Sequence, residues 1–293
     1  MMTDTESVQV GFVGLGIMGQ SMAGHLLKAG HQLHLFNRTR SRSDTLVAQG
    51  AVWHDTSGAM AAASDFVISM VGYPADVEAI YLGASGIIES ARRGTVLIDM
   101  TTSSPDLSKK IAAAAQQQGL MALDAPVSGG DIGAREARLS IMVGGDAAVF
   151  EKALPLLKLM GSNVVLQGGP GAGQHTKMCN QIVIASTMLG VCEGLAYAKH
   201  AGLNPETVLQ SIGSGAAGSV ALNILGPRIL KNDFAPGFFI EHFVKDMGIA
   251  LSEAQRMNLD LPGLTLARQI YEQLVVLGYA RNGTQALFKH YEC

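Results

Sequence analysis

From Val8 to about Leu166 the chain alternates between two hydrophobic rhythms. Short runs rich in β-branched and apolar residues recur at "VQVGFVG" (8-14), "QLHLFN" (32-37), "FVISMV" (66-71), "VLIDM" (96-100), "LMALDAPV" (120-127), "LSIMVGG" (139-145) and "NVVLQG" (163-168). Between them lie segments such as "MGQSMAGHLLKAGH", whose apolar residues return every three or four positions and which reaches a C-terminal glycine at Gly30. Near-continuous apolar strands separated by helices predict a parallel sheet covered on both faces. After Gly173 the strand rhythm stops. One long helix is expected over about 173-201, another from Asn204, and a third from Glu241, with the Gly/Ser-rich "GSGAAGS" (213-219) as a break.

The Gly/Pro-rich "QGGPGAGQ" (167-174) is the natural joint. The expected organisation is an α/β domain over residues 1-168 and an all-α domain over 169-293, with a cleft between them as the default site. One feature of the long helix is out of place: its first turns, "GAGQHTKMCNQ" (171-181), set Gln174, Lys177, Asn180 and Gln181 at helical spacing ahead of a nearly all-apolar run. A buried ammonium is costly unless it is paired or used.

Composition narrows the function classes. Hydrophobic residues make up 48% of the 293 and charged ones 15%, which fits a large core and argues against disorder. A net charge of -3 with no basic run gives no reason to expect nucleic acid. Cys179, Cys192 and Cys293 are far apart and share no ligand spacing with histidine, so neither a disulfide framework nor a metal site is expected. A cytoplasmic location is the default. The polar start "MMTDTESVQ" and the lack of an uninterrupted apolar run of about 18 residues predict neither export nor a membrane span.

Gly14-Leu15-Gly16-Ile17-Met18-Gly19 lies between the first expected strand and helix. G-x-G-x-x-G in that setting is the Rossmann fingerprint: a tight turn, a close approach for pyrophosphate, and a helix N-terminus aimed at the anion. The second strand ends in Asn37-Arg38-Thr39 rather than in Asp or Glu. A carboxylate there would hold a ribose 2'-hydroxyl and repel a 2'-phosphate; Arg38 and Thr39 could hold the phosphate, so NADP(H) is favoured over NAD(H). The bland reading is that Asn37 and Thr39 cap the next helix and Arg38 is a solvated charge. Val71-Gly72 in "MVGYP" and the hydroxyl residues of "DMTTSSP" follow later strands, where loops border a cofactor. Ser128-Gly129-Gly130 offers a hydroxyl and unencumbered N-H groups to an anion, or is simply a tight turn. Lys177, with Asn180 three and Gln181 four residues on, could hold a hydroxy acid and move its proton, or could be a lysine snorkelling from a buried helix.

Together, Gly14-Leu15-Gly16-Ile17-Met18-Gly19, Asp124-x-Pro126-Val127-Ser128-Gly129, Gly171-x-Gly173-x-x-x-Lys177-x-x-Asn180 and Lys245-Asp246 resemble the four signatures of the β-hydroxyacid dehydrogenases. The resemblance runs along essentially the whole chain. It implies a dimer or tetramer, Lys177 as catalytic acid/base, Ser128, Gly129 and Gly130 as a cradle for the substrate carboxylate, and Asn180 as an orienting group. It further implies that Thr102 meets the cofactor near the nicotinamide ribose and that Lys245 reaches it from the helical domain. Gln181 stands where part of the family has asparagine, which bears on substrate size. The expected reaction is reversible hydride transfer between NADP(H) and a short 3-hydroxy acid or its semialdehyde, without a metal. The alternatives are a non-catalytic NADP(H)-binding protein of the same fold, and oxidative decarboxylation of the 6-phosphogluconate dehydrogenase type.

Overall fold

The computed structural model describes residues 7-292. The chain divides into two compact units, Met1–Lys177 and Met178–Cys293.

The first unit runs β1 (Gln9–Val13), α1 (Ile17–Lys28), β2 (Gln32–Phe36), α2 (Asp44–Ala48), β3 (Val52–Trp53), α3 (Ser57–Ala62), β4 (Phe66–Ser69), α4 (Pro74–Leu82), α5 (Ile87–Ser90), β5 (Val96–Asp99), α6 (Pro105–Gln117), β6 (Met121–Asp124), β7 (Val127–Ser128), α7 (Gly130–Arg135), β8 (Leu139–Gly145), α8 (Ala147–Lys158) and β9 (Gly161–Gly168). The sheet order is β3-β2-β1-β4-β5-β6-β8-β7, with β9 on β8. Strands from β3 to β6 are parallel, whereas β8 runs antiparallel to β6 and β7. A parallel return needs a crossover of a dozen or more residues; here that stretch is spent on β7 and the short α7, and the chain comes back reversed. Beyond the strands expected from sequence, the two-residue β3 was not signalled, because Val52–Trp53 is too short to show a period. β1, β4 and β5 are buried along almost their whole length, which is why they read as continuous apolar runs rather than alternations. Their side chains feed two cores, one on each face of the sheet.

One row of the register matters below. Val13 pairs with Ser69, Ser69 with Asp99, and Asp99 with Asp124, so three polar residues end β4, β5 and β6 side by side. A strand's last residues border the loops that carry function in this architecture.

The long helix α9 (Ala172–His200) starts in the first unit and belongs to the second from Met178 onward. The second unit continues with α10 (Pro205–Ile212), α11 (Gly226–Leu230), α12 (Ile240–Arg256) and α13 (Pro262–Val276), and closes with a 3-10 segment, Thr284–Tyr291. α9 is long and apolar enough to cross a membrane on length and composition alone; 44% of its most apolar window is buried within the fold. Met188, Leu189, Cys192 and Leu195 supply that apolarity, and they pack with Phe243, Met247 and Tyr271 in a single helical core.

Candidate active site

The glycine-rich turn is built around backbone demands. Gly14 has φ +94°, and a side-chain carbon on it would collide with the Met70 carbonyl oxygen, so no other residue fits between β1 and β4. Gly16 is different. Its φ is -76°, and a side-chain carbon there would meet nothing nearer than Arg42 Nη1 at 3.9 Å. The fold does not require glycine at 16, whereas a phosphate approaching the backbone would. α1 begins at Gly16 without a side-chain cap, leaving its first N-H groups to an anion. These features fit a dinucleotide pyrophosphate. Leu15 is wholly buried, so it would meet such a ligand through its backbone only, while Ile17 is exposed and Met18 and Gly19 pack closer to the sheet.

Asn37 braces this turn: its Oδ1 accepts from Leu15 N at 2.9 Å and its Nδ2 donates to the Thr39 carbonyl at 2.7 Å. Arg38 and Thr39 are exposed beside it, and Thr39 makes no side-chain cap for the 3-10 turn that follows. Arg40 lies over the ring of Trp53, 5.6 Å from its centroid, and Trp53 in turn faces Phe36 at 6.1 Å. With Arg38 and Arg42, this places three guanidinium groups along one exposed segment at the end of β2.

The row at the ends of β4 to β6 forms a buried polar thread. Ser69 Oγ donates to Asp99 Oδ1 at 2.8 Å and meets Tyr81 Oη at 2.9 Å; Thr101 N donates to the same carboxylate oxygen at 3.1 Å. Val71 N donates to Thr101 Oγ1 at 3.0 Å, tying the Val71-Gly72 loop to the next one. Thr101 is buried, and its neighbour Thr102 is half-buried. Burial lifts the Asp99 carboxyl from 3.8 to about 6; the hydrogen bonds from Ser69 and Thr101 pull it down and the charge of Asp124 pushes it up. Among the described residues, its second oxygen, Oδ2, is buried with no hydrogen-bond partner, as is Ser103 Oγ.

The same thread positions the start of α9. Asp124 Oδ1 accepts from Gly171 N at 2.7 Å and Oδ2 from Gln174 N at 2.8 Å, so one carboxylate clamps the first turn of the helix. Burial raises the Asp124 carboxyl, and these N-H donors pull it back. Gln174, fully buried, donates to the Thr101 carbonyl at 2.8 Å and accepts from Ser103 N at 2.9 Å. One turn further on, Lys177 is 6% exposed and its ammonium donates to the Val127 carbonyl at 2.8 Å. That carbonyl adjoins Ser128. Gly129 and Gly130 follow with φ +132° and +63°, backbone only glycine adopts easily, which turns the chain sharply after the Ser128 hydroxyl. Lys177 and the Ser128-Gly129-Gly130 turn are therefore neighbours in the first unit.

In the second unit Gln181 is 1% exposed. Its Nε2 donates to Asp246 Oδ2 at 2.6 Å and its Oε1 accepts from Asn180 Nδ2 at 2.7 Å. Lys245 Nζ stands 2.9 Å from Asp246 Oδ1, an ion pair whose alignment is not that of a hydrogen bond. Among the described residues no group of three or more His, Cys, Asp or Glu side chains could hold a metal ion.

Two family models cover nearly the whole chain: the NAD binding domain of 6-phosphogluconate dehydrogenase over residues 9–169, and the NAD-binding domain of NADP-dependent 3-hydroxyisobutyrate dehydrogenase over 171–291. The chain belongs to the β-hydroxyacid dehydrogenase family. It is an NAD(P)-dependent oxidoreductase of that family, and its α/β domain followed by a helical domain is the family's architecture. Among its relatives, the uncharacterized oxidoreductase YkwC of Bacillus subtilis is 53% identical, over 96% of this chain and 97% of its own. The 2-hydroxy-3-oxopropionate reductase of Escherichia coli is 40% identical, over 97% of both. The solved 3-hydroxyisobutyrate dehydrogenase of Mycobacterium tuberculosis, with L-serine, superimposes with a TM-score of 0.91 at 29% identity, covering 98% of this chain and 100% of that one.

In this β-hydroxyacid dehydrogenase, Lys177 and the Ser128 turn were named from the sequence as candidate site residues, whereas the side chains that brace them were not. Asp124 was visible only as a motif letter, and Gln174 only as a polar residue one turn ahead of the lysine. Their roles depend on contacts 47 to 73 residues apart in sequence, which no local period encodes.

Proposed function

We propose that this dehydrogenase reduces and oxidises a short 3-oxo or 3-hydroxy acid with Lys177 as the general acid and base, preferring NADP(H). The observation that carries the reading is the buried Lys177 ammonium, held 2.8 Å from the Val127 carbonyl next to Ser128. A lysine snorkelling to solvent would be exposed at its tip; this one is not. The bound nicotinamide supplies or accepts hydride. The protein's own part is to hold the acid and manage one proton. The Ser128 hydroxyl and the N-H groups after it would bind the carboxylate. In reduction the Lys177 ammonium would hydrogen-bond the carbonyl oxygen and deliver a proton as negative charge develops there; in oxidation the neutral amine would take the hydroxyl proton.

Clamped by Asp124 and locked to the 101-103 loop through Gln174, the first turn of α9 leaves Lys177 little freedom to leave that position. Asn180, on the same side of α9 one turn later, would orient the substrate, and Thr102 and Lys245 would serve the cofactor. The NADP(H) preference is supported by Arg38, Arg40 and Arg42 and by the absence of a carboxylate at position 37. A homo-oligomer belongs to the same proposal, with the exposed Val183 and Tyr197 of α9 as candidate contacts.

Lys177→Ala tests the assignment. The expected result is a fall in kcat of about 10²- to 10⁴-fold toward a short semialdehyde acid, the range of a lost general acid, with the cofactor still bound. Turnover near the wild-type kcat would remove Lys177 from the chemistry.

A further inference from the structure

Gln181 was expected to touch the substrate, yet both ends of its amide are engaged within the second unit. The orientation of that amide follows from the chemistry of its partners. The Asp246 carboxylate, paired with the Lys245 ammonium, only accepts, so the Gln181 NH₂ must face it. Gln181 Oε1 is then the group left toward Asn180, and an oxygen can only accept, so Asn180 must turn its own NH₂ to it. The ambiguity between amide O and N, common for asparagine and glutamine, is removed at both residues by one anion. As a result the Asn180 carbonyl oxygen points away from Gln181.

We infer that Gln181, anchored by Asp246, is a positioning residue that fixes the Asn180 carbonyl as a hydrogen-bond acceptor for the substrate and so selects acids with a hydroxyl rather than a methyl group at C2. The inference rests on the proposed function, in which Asn180 meets the substrate one turn after Lys177. A C2-hydroxyl donates to that oxygen. A C2-methyl of nearly the same size leaves it desolvated and unpaired, and sites built around a hydrogen bond reject analogues that lack it. A free asparagine would flip and present its NH₂ instead; the pairing with Gln181 removes that choice. Shortening Gln181 to asparagine would leave the side chain unable to span both partners.

The test compares 2-hydroxy-3-oxopropanoate with 2-methyl-3-oxopropanoate, NADPH being the reductant, in the wild type, Gln181→Met and Asp246→Asn. Methionine keeps the length and apolar bulk of Gln181 without its amide. In Asp246→Asn the partner can offer either an oxygen or an NH₂, so the ordering logic is lost although every side chain remains close to its size. The readout is the ratio of kcat/KM for the two acids, which cancels the folded fraction and any change in cofactor affinity. The wild type is expected to favour the 2-hydroxy acid by roughly tenfold or more, the discrimination of about one hydrogen bond. The ratio is expected to fall toward one in Gln181→Met and to fall in part in Asp246→Asn.

Dissociation constants of glycerate and 3-hydroxyisobutyrate in the unreactive complex with NADPH should follow the same order. An active wild type with no preference, or a Gln181→Met variant that keeps the full ratio, overturns the inference and leaves the proposed reaction standing. No turnover of either acid by the wild type overturns the reaction itself, and the inference with it.

Discussion

Replacing Asp99 with asparagine should remove a pH dependence of stability that the wild type carries. Asp99 ends β5 in a fully enclosed position, with one oxygen bonded to Ser69 and Thr101 and the other bare. Desolvation is the largest influence on it and raises its carboxyl from 3.8 to about 6. A carboxyl whose native value is raised favours the folded state in its protonated form. Its stabilising contribution is therefore complete below 3.8 and is lost as the pH rises through about 6. Over the whole window the change amounts to about 3 kcal/mol, at about 1.36 kcal/mol per pH unit. Between about pH 4.5 and pH 7.5, where measurement is practical, about 2 kcal/mol of it should appear.

The chain's single tryptophan, Trp53, lies in the same unit as Asp99 and reports on that unit's unfolding. Urea titrations followed by Trp53 emission would give unfolding free energies of the wild type and Asp99→Asn at each pH. The quantity to plot is their difference, which cancels most other titrating groups. Asparagine keeps the acceptor for Ser69 and Thr101, so that difference isolates the charge. It should fall by about 2 kcal/mol across the window, a shift in relative midpoint of about 1 M urea at a slope near 2 kcal/mol/M. A flat difference would show that Asp99 titrates at an ordinary value, and a rising one that its ionised form is favoured. Either result refutes the account of Asp99 as a carboxyl dominated by desolvation.

The helix clamp gives a second prediction: Asp124→Ala removes the acceptor for both Gly171 N and Gln174 N and should cost about 3 kcal/mol or more, lowering the melting temperature by several degrees, with Asp124→Asn between it and the wild type. Arg38→Asp should raise the KM for NADPH at least tenfold while changing that for NADH little, since only the former carries the 2'-phosphate; unchanged NADPH kinetics would dismiss Arg38 as its partner. Binding of 2',5'-ADP should alter Trp53 emission about as much as the oxidised cofactor NADP⁺ does, because Trp53 stands beside Phe36 and Arg40 at the end of β2; no response to 2',5'-ADP at saturation would place the adenosine elsewhere.

Much of the first unit was legible because burial on both faces makes parallel strands read as plain apolar runs, and because backbone constraints leave glycines at fixed offsets. Gly14 is the clear case: the residue type, the turn and the collision it avoids are one fact seen three ways. The reversal of β8 was not legible, since an apolar strand reads the same in either direction. Nor was β3, whose two residues carry no period. At the site, Lys177 stood out because an ammonium among apolar residues breaks a pattern. Asn37 illustrates the opposite: its residue type suggested a place beside the cofactor or a helix cap, and nothing in the sequence showed that its amide ties the glycine-rich turn to the Thr39 carbonyl. Polar residues that serve other protein groups look, in sequence, identical to those that serve a ligand.

That distinction explains why Gln181 and Gln174 are informative as a pair. Each is a buried glutamine on one side of α9, flanking Lys177 by three or four residues, and each spends both ends of its amide on protein partners. Gln174 binds backbone groups of the 101-103 loop, whose positions are fixed by the sheet, so its effect ends in rigidity. Gln181 binds a side chain that has a choice of orientation, so its effect passes on to whatever Asn180 faces. A buried amide bonded to the main chain is a brace; one bonded to another amide, with an anion behind it, sets a donor-acceptor direction. Substitution at 174 should therefore weaken turnover of all acids alike, whereas substitution at 181 should change which acid is preferred.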